Sequence, residues 1–238
     1  MLRTTIISAA LSLTAAQDPA GGWMAYAVGT VPADTTRITR MQMTWKVGEN
    51  PTTSSGAFYS PWFGMDPSDN LNLIQPVNPW LGNGWSMYTE YFQWSPEDNS
   101  NSEQNDVEAG QTLQGTLTYD TSSDSYLLNQ TILETGVSST QTVKCQNGKK
   151  YNLPYVVYEK TWPCADYPPD GVVTFYDIQV ECDSKDCTKD MKVSWLWLWL
   201  LFLYFCVVVC VVATVVVVVV LPSIARRQHP YVLQQPWL

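Results

Sequence analysis

Short alternating or β-branched stretches fill the chain from Trp23 to Val180, and Gly, Pro, Asn, Asp and Ser break them at short intervals. Alternation marks a half-buried strand, because successive side chains leave a strand on opposite faces. The pattern predicts strands over residues 38–47, 86–94, 112–120, 125–131, 141–145, 155–161 and 172–181. No long helical periodicity interrupts them, and no internal repeat is present. Residues 97–106 are polar and acidic and read as a loop. Many short strands with regular breaks predict an all-β domain, an antiparallel β-sandwich of two sheets.

The pattern changes in kind near the C-terminus. Residues 193–225 contain no charged side chain. The 27 residues 195–221 would make a helix of about 40 Å at ~1.5 Å per residue. A bilayer core is about 30 Å thick, so a single C-terminal transmembrane helix is expected there. Trp195, Trp197 and Trp199 would sit in an interfacial aromatic belt. The valine block inside this run favours β-structure in water, but a lone strand in lipid would leave its backbone unpaired. At the other end, Arg3, the apolar stretch 6–13 and Thr14-Ala15-Ala16 have the form of a signal peptide. The expected organisation is a signal peptide (1–16), a β-sandwich ectodomain (17–182), a charged stalk (183–194), the transmembrane helix (195–221) and a cytosolic tail (222–238). That describes a single-pass membrane protein with its ectodomain on the lumenal or extracellular side. Lys185, Lys189 and Lys192 flank one end of the apolar run, Arg226 and Arg227 the other, so orientation rests on the signal peptide. Without it, the chain would be tail-anchored with a cytosolic domain.

Charge narrows the partners. All 22 acidic residues lie between Asp18 and Asp190, against nine basic residues over the same span and Lys192 as a tenth, a balance of about −12. Phosphates need a basic surface, so nucleic acid is excluded as a partner. The same balance suits a domain that works in acid. Cys145, Cys164, Cys182 and Cys187 are an even set, as expected for disulfides in an oxidising compartment, with three possible connectivities. Asn129-Gln130-Thr131 is a glycosylation sequon, which makes Asn129 a candidate glycan site. The single histidine, His229, lies beyond the apolar run. The domain therefore has no imidazole for a serine or cysteine triad or for zinc, and no glycine loop for phosphate. No metal and no cofactor is expected. Carboxylate and amide chemistry, or binding alone, remains.

Four motifs occur in order: Trp62-Phe63-Gly64-Met65-Asp66, Leu73-Ile74-Gln75, Tyr91-Phe92-Gln93-Trp94-Ser95-Pro96-Glu97 and Val156-Val157-Tyr158-Glu159. In order and spacing they resemble the eqolisins, the glutamic peptidases. The resemblance implies a jelly-roll, concanavalin-like sandwich with a Gln and a Glu facing each other on one sheet. Carried over by motif, these are Gln75 and Glu159, the candidate catalytic residues. Trp62, Asp66, Tyr91, Gln93 and Trp94 match positions near such a site and are candidate substrate-binding residues. The chemistry is coherent in its own right: Glu159 can take a proton from water as general base, and the Gln75 amide can donate to a developing oxyanion. The implied activity is an acid endopeptidase acting on a polypeptide held in a groove.

Departures from the family pattern keep a second reading open. Gln93 stands where the family has Glu, Tyr91 where it has Trp, and Ser95 where it has Tyr. Pro76 directly follows Gln75 and suggests an edge strand or a bulge. The alternative is a lectin-like ectodomain that binds glycans or peptides without catalysis. A glycoside hydrolase is a third reading, opposed by Glu90 and Gln93 falling on opposite faces of one strand. Of the aromatic set Trp80, Trp85, Tyr88, Tyr91, Phe92 and Trp94, alternation assigns half to the core. Asp66-Pro67-Ser68-Asp69-Asn70 reads as a turn rather than a calcium loop.

Overall fold

The computed structural model describes residues 22–51, 58–160, 171–197 and 216–219. The alternating stretches form β1 (Trp23–Thr30), β2 (Ile38–Lys46), β3 (Tyr59–Pro67), β4 (Asn72–Val77), β5 (Trp85–Trp94), β6 (Glu97–Asn101) and β7 (Asn105–Val107). They continue as β8 (Thr112–Asp120), β9 (Ser125–Ile132), β10 (Ser138–Lys144), β11 (Tyr151–Lys160), β12 (Val172–Cys182), β13 (Lys185–Asp186), β14 (Lys192–Trp197) and β15 (Val216–Val219). The first sheet runs β14-β1-β11-β3-β4-β5-β6, with β7 also on β5; the second runs β10-β9-β8-β2-β12-β13, with β15 also on β12. Every pairing is antiparallel except β12 with β15. The expected two-sheet sandwich is therefore the observed architecture.

The core lies between the sheets. Trp45 on β2 packs edge-on against Phe63 on β3, with ring centroids 5.9 Å apart, and against Phe175 on β12 at 5.4 Å. Tyr126 is fully buried and donates its hydroxyl to the Ile38 carbonyl at 2.6 Å, so its polar end is satisfied inside the core. A second, smaller apolar cluster forms on the outer face of the first sheet from Trp23, Tyr26, Trp62, Leu73, Val77, Tyr155 and Val157. A sheet with water on one side does not need a second apolar cluster; this one floors a site.

The transmembrane helix expected over 195–221 is not what the structure shows. Residues 195–197 belong to β14, which pairs with β1 from Ala25↔Trp197 to Thr30↔Lys192. Residues 216–219 form β15, paired in parallel with β12 from Val172↔Val216 to Phe175↔Val219. Residues 198–215 lie outside the described set. Among the described residues no helix is long and apolar enough to cross a membrane. The physical reason is that β-branched valines fit a pleated surface, and β15 is not a lone strand: it pairs with β12 along one edge. The signal peptide and the cytosolic tail also fall outside the described residues. The segment 183–194 contains β13 and the start of β14, and Cys182 and Cys187 on either side of the β12–β13 turn are joined by a disulfide. Cys145 has no disulfide partner among the described residues.

Two smaller expectations are corrected. The loop expected over 97–106 contains β6 and β7. β6 is exposed at all five positions and pairs with β5 from Glu90↔Asn101 to Trp94↔Glu97. Water on both sides of an edge strand removes the alternation that would have revealed it. Pro76, expected at an edge or bulge, stands in an internal strand between β3 and β5. Its missing N–H is reflected in the ladder: β4 matches β5 at six positions but β3 only at Trp62↔Val77 and Met65↔Ile74. The ring is accommodated beneath the sheet by Gly115 on β8, where a Cβ would lie 2.7 Å from Pro76 Cγ and from the Phe63 ring.

Candidate active site

Alternation along four neighbouring strands of the first sheet aims a common set of side chains outward. β11 contributes Tyr155, Val157 and Glu159; β3 contributes Trp62, Gly64 and Asp66; β4 contributes Leu73, Gln75 and Val77; β5 contributes Tyr88, Glu90, Phe92 and Trp94. The register sets them in rows. Val157, Trp62, Val77 and Tyr88 cross the sheet side by side, and Gln75 lies directly opposite Glu90. Gln75 and Glu159 thus rise from the same face.

Gln75 sits where it does because of Gly64. A Cβ on residue 64 would stand 2.6 Å from the Ile74 carbonyl oxygen and 3.0 Å from Gln75 Cβ, closer than side chains tolerate. Only glycine lets β3 and β4 approach with this side-chain packing. From below, the buried Gln130 of β9, oriented with its amide nitrogen toward the first sheet, donates to the Tyr88 and Val77 carbonyls at 2.9 and 3.0 Å. The second sheet thereby holds the backbone of β4 and β5 under the site.

Two hydrogen bonds organise the polar groups. Trp62 donates Nε1–H to Glu159 Oε2 at 3.1 Å. Gln75 donates Nε2–H to Glu90 Oε2 at 2.6 Å, and its Oε1 is buried with no hydrogen-bond partner among the described residues. β11 and β5 are three strands apart, about 14 Å in a flat sheet, yet their side chains act on one another. Burial pushes Glu159 above the ordinary glutamate range; the Trp62 N–H opposes the shift and the Glu90 charge adds to it. Glu90 is also raised by burial, with the Gln75 amide opposing. The Tyr88 hydroxyl is raised by burial and then by both carboxylates. Glu90, Glu159 and Tyr88 therefore form one electrostatic cluster. No lysine or arginine contributes to the shift of either carboxyl.

Asp66 lies further along the same face and is 3% exposed. Burial, reinforced by Asp69, pushes its carboxyl up to about 8, and Oδ1 has no hydrogen-bond partner among the described residues. The residues after it do form a turn: Asn70 N–H donates to the Pro67 carbonyl and Leu71 N–H to Asp69 Oδ1.

The remaining candidates divide. Trp94 is exposed on the groove side, edge-to-face with Phe92 at 4.7 Å. Tyr91 and Gln93 point inward instead. The Gln93 carbonyl oxygen accepts from Asn72 Nδ2 and from the Tyr91 hydroxyl, both at 2.6 Å, while Lys149 donates to Asn72 Oδ1. Gln93 therefore belongs to a buried polar network at the end of β4 and β5. Of the six aromatics in this region, Trp80, Trp85 and Tyr91 join the core, and Tyr88, Phe92 and Trp94 face outward. Asn129 is on the outer face of the second sheet, donating to Thr131 Oγ1 at 2.9 Å and accepting from Thr140 Oγ1 at 2.7 Å. Sequence reasoning omitted Glu90 from the candidate set. The missing signal was register: the β4–β5 hairpin places Glu90 across from Gln75.

With this geometry in place, the comparisons with known proteins are informative. Solved structures of scytalido-glutamic peptidase share the fold. The complex with a transition state analog inhibitor aligns with 17% identity over 73% of this chain and 86% of that one, at a TM-score of 0.51. The complex with a peptide-based transition state analog gives the same identity and coverage, at 0.52. At this identity the likeness shows a shared fold. No protein-family model matches the sequence, and no curated protein matches it.

Proposed function

We propose that the chain is a peptidase of the glutamic type, cleaving an extended polypeptide laid across the outer face of the first sheet. The observation that carries this reading is the placement of Gln75 and Glu159 on one sheet face, with Glu159 half-buried and held by Trp62. The shared fold with scytalido-glutamic peptidase supports it.

In this reading the Glu159 carboxylate accepts a proton from water as the water oxygen attacks the scissile carbonyl carbon. Trp62 fixes the direction of the carboxylate through Oε2 and leaves Oε1 for the water. An amide NH2 has two N–H bonds; one of Gln75's is engaged by Glu90, and the second is the donor for the oxyanion. Phe92 and the exposed Trp94 supply apolar surface for substrate side chains. The proton on Glu159 then passes to the departing amine.

The test is digestion of an acid-denatured protein by the full chain, with products read by mass spectrometry. Cleavage should resist inhibitors of serine, cysteine and metal peptidases. Gln75→Ala should lower kcat/KM by about 100-fold or more, the usual cost of one oxyanion donor, and Glu159→Gln should lower it further. Cleavage surviving both substitutions would sink the assignment. A binding-only groove is the second reading, favoured by the Gln75–Glu90 bond that already occupies one amide donor. It would show peptide or glycan affinity, unaltered by Glu159→Gln, in a protein that hydrolyses nothing.

A further inference from the structure

We infer that Glu90 is a second catalytic carboxyl, sharing one proton with Glu159 and delivering it to the scissile carbonyl oxygen. This rests on the peptidase reading of the same groove and deepens it.

Three observations converge on Glu90. It is the direct cross-strand partner of Gln75. Its Oε2 receives the Gln75 N–H at 2.6 Å, and the amide adopts that orientation although it leaves Gln75 Oε1 without a hydrogen-bond partner among the described residues. Its charge is felt at Glu159 and at Tyr88. The pair is half-buried, on the sheet face that also carries Glu159.

Among the described residues, the side chains that share the outer face with the pair are neutral or acidic. β5 presents Tyr88, β4 presents Gln75 and β3 presents Trp62 and Ser60. β1 brings Trp23 opposite Glu159, and β6 brings Asn101 opposite Glu90, with Glu97 at its far end. Two half-buried carboxyls, with no lysine or arginine among the described residues raising or lowering either, resist double ionisation, so over a range of pH they hold a single proton. The Gln75 and Trp62 donors each stabilise an ionised form, so either carboxyl can carry the charge.

A singly protonated pair has the equivalents that hydrolysis needs. Glu159 takes a proton from water while the water oxygen bonds to the carbonyl carbon. The carbonyl oxygen takes the proton of Glu90, and a neutral gem-diol results. The C–N bond then breaks, the nitrogen takes the proton from Glu159, and one gem-diol hydroxyl returns its proton to Glu90. The pair ends with the same single proton, and the products are a carboxylic acid and an amine. Gln75 acts throughout by holding Glu90 in place and donating its second N–H.

The test uses the full chain, and its two arms fail separately. In the first, kcat/KM for cleavage of an acid-denatured protein is measured against pH for wild type and for Glu90→Gln. The wild-type profile should be bell-shaped, with both limbs belonging to the pair. Glu90→Gln should lower the maximum by about 100-fold or more and abolish the alkaline limb, which belongs to loss of the Glu90 proton, while the acid limb stays, because Glu90 is already neutral where Glu159 takes up its proton. A Glu90→Gln enzyme with wild-type rate and both limbs intact overturns the inference. In the second arm, side-chain carboxyl resonances of glutamate are titrated by carbon-13 NMR in wild type and in Glu159→Gln. Two widely separated steps in wild type, with the Glu90 step falling in Glu159→Gln, support the shared proton even if the chain cleaves nothing and the peptidase reading fails. Independent titration of the two carboxyls overturns it, whatever Glu90→Gln does to folding.

Discussion

On the outer face of the first sheet, Glu90, Glu159 and Asp66 are partly or wholly buried, and no salt bridge neutralises them among the described residues. On the outer face of the second sheet, Gln114, Thr116, Thr118, Asn129, Thr131 and Thr140 stay in contact with water. Thr140 donates to Asn129, Asn129 donates to Thr131, and Thr131 shares a hydrogen bond with Ser138 at 2.8 Å. Both faces carry polar side chains and both follow the same alternation. They differ in what accompanies them: a buried cluster including Trp23, Tyr26, Trp62 and Tyr155 shares the first face with the carboxyls, and among the described residues no such cluster shares the second face with the hydroxyls. Polar groups left wanting protons or donors are poised for chemistry, and polar groups that close on themselves are a finished surface.

The contrast breaks most readily at Glu159. Replacing it with Gln should reduce peptide hydrolysis by up to about 10^4-fold, while Thr116→Ala on the opposite face should leave kcat/KM within a factor of two. A comparable loss from both would erase the distinction. Next in size is the pH dependence of stability carried by Asp66. Its folded carboxyl titrates at about 8 and its unfolded one near 3.9. Between those values the folded state holds a proton that the unfolded state has released, so stability is greatest in acid and declines as pH rises toward 8. Asp66→Asn should flatten that decline, a difference on the order of 3 to 5 kcal/mol between pH 4 and pH 8 in urea unfolding. Equal slopes for the two proteins would show Asp66 to be solvated. Gly64→Ala should destabilise by about 1 to 3 kcal/mol, as overpacking does, and should cost activity besides, because the new methyl meets the Ile74 carbonyl and Gln75; a crystal structure or thermal melt would report it. Smallest is Thr140→Ala, expected to cost about 1 kcal/mol or less because water replaces its partner at an exposed position.

The alternation of apolar and polar residues was enough to place seven strands and the sandwich. It was also enough to split the six aromatics near the site three and three. It could not reveal β6, whose residues are wet on both sides, or β1, whose bulge between Trp23 and Ala25 interrupts the period of two. Glu90 was invisible for a different reason: its importance lies in a hairpin register, a relation between two strands rather than a property of either. The 193–225 run misled because hydropathy measures the cost of meeting water and not which partner removes it. At residues 192–197 and 216–219 the partner is another strand, and β-branched valine fits a pleated surface.

The pairing of β14 with β1 bears on anyone shortening the gene. Cutting before Lys192 to discard the greasy tail looks like a harmless route to a better-behaved sample. It would instead strip Trp23–Thr30 of its outer neighbour along six matched positions, leaving a bare row of amides and carbonyls next to the strand that carries Glu159. Such a rim invites another molecule to complete it, so the trimmed protein should be more prone to self-association than the full one.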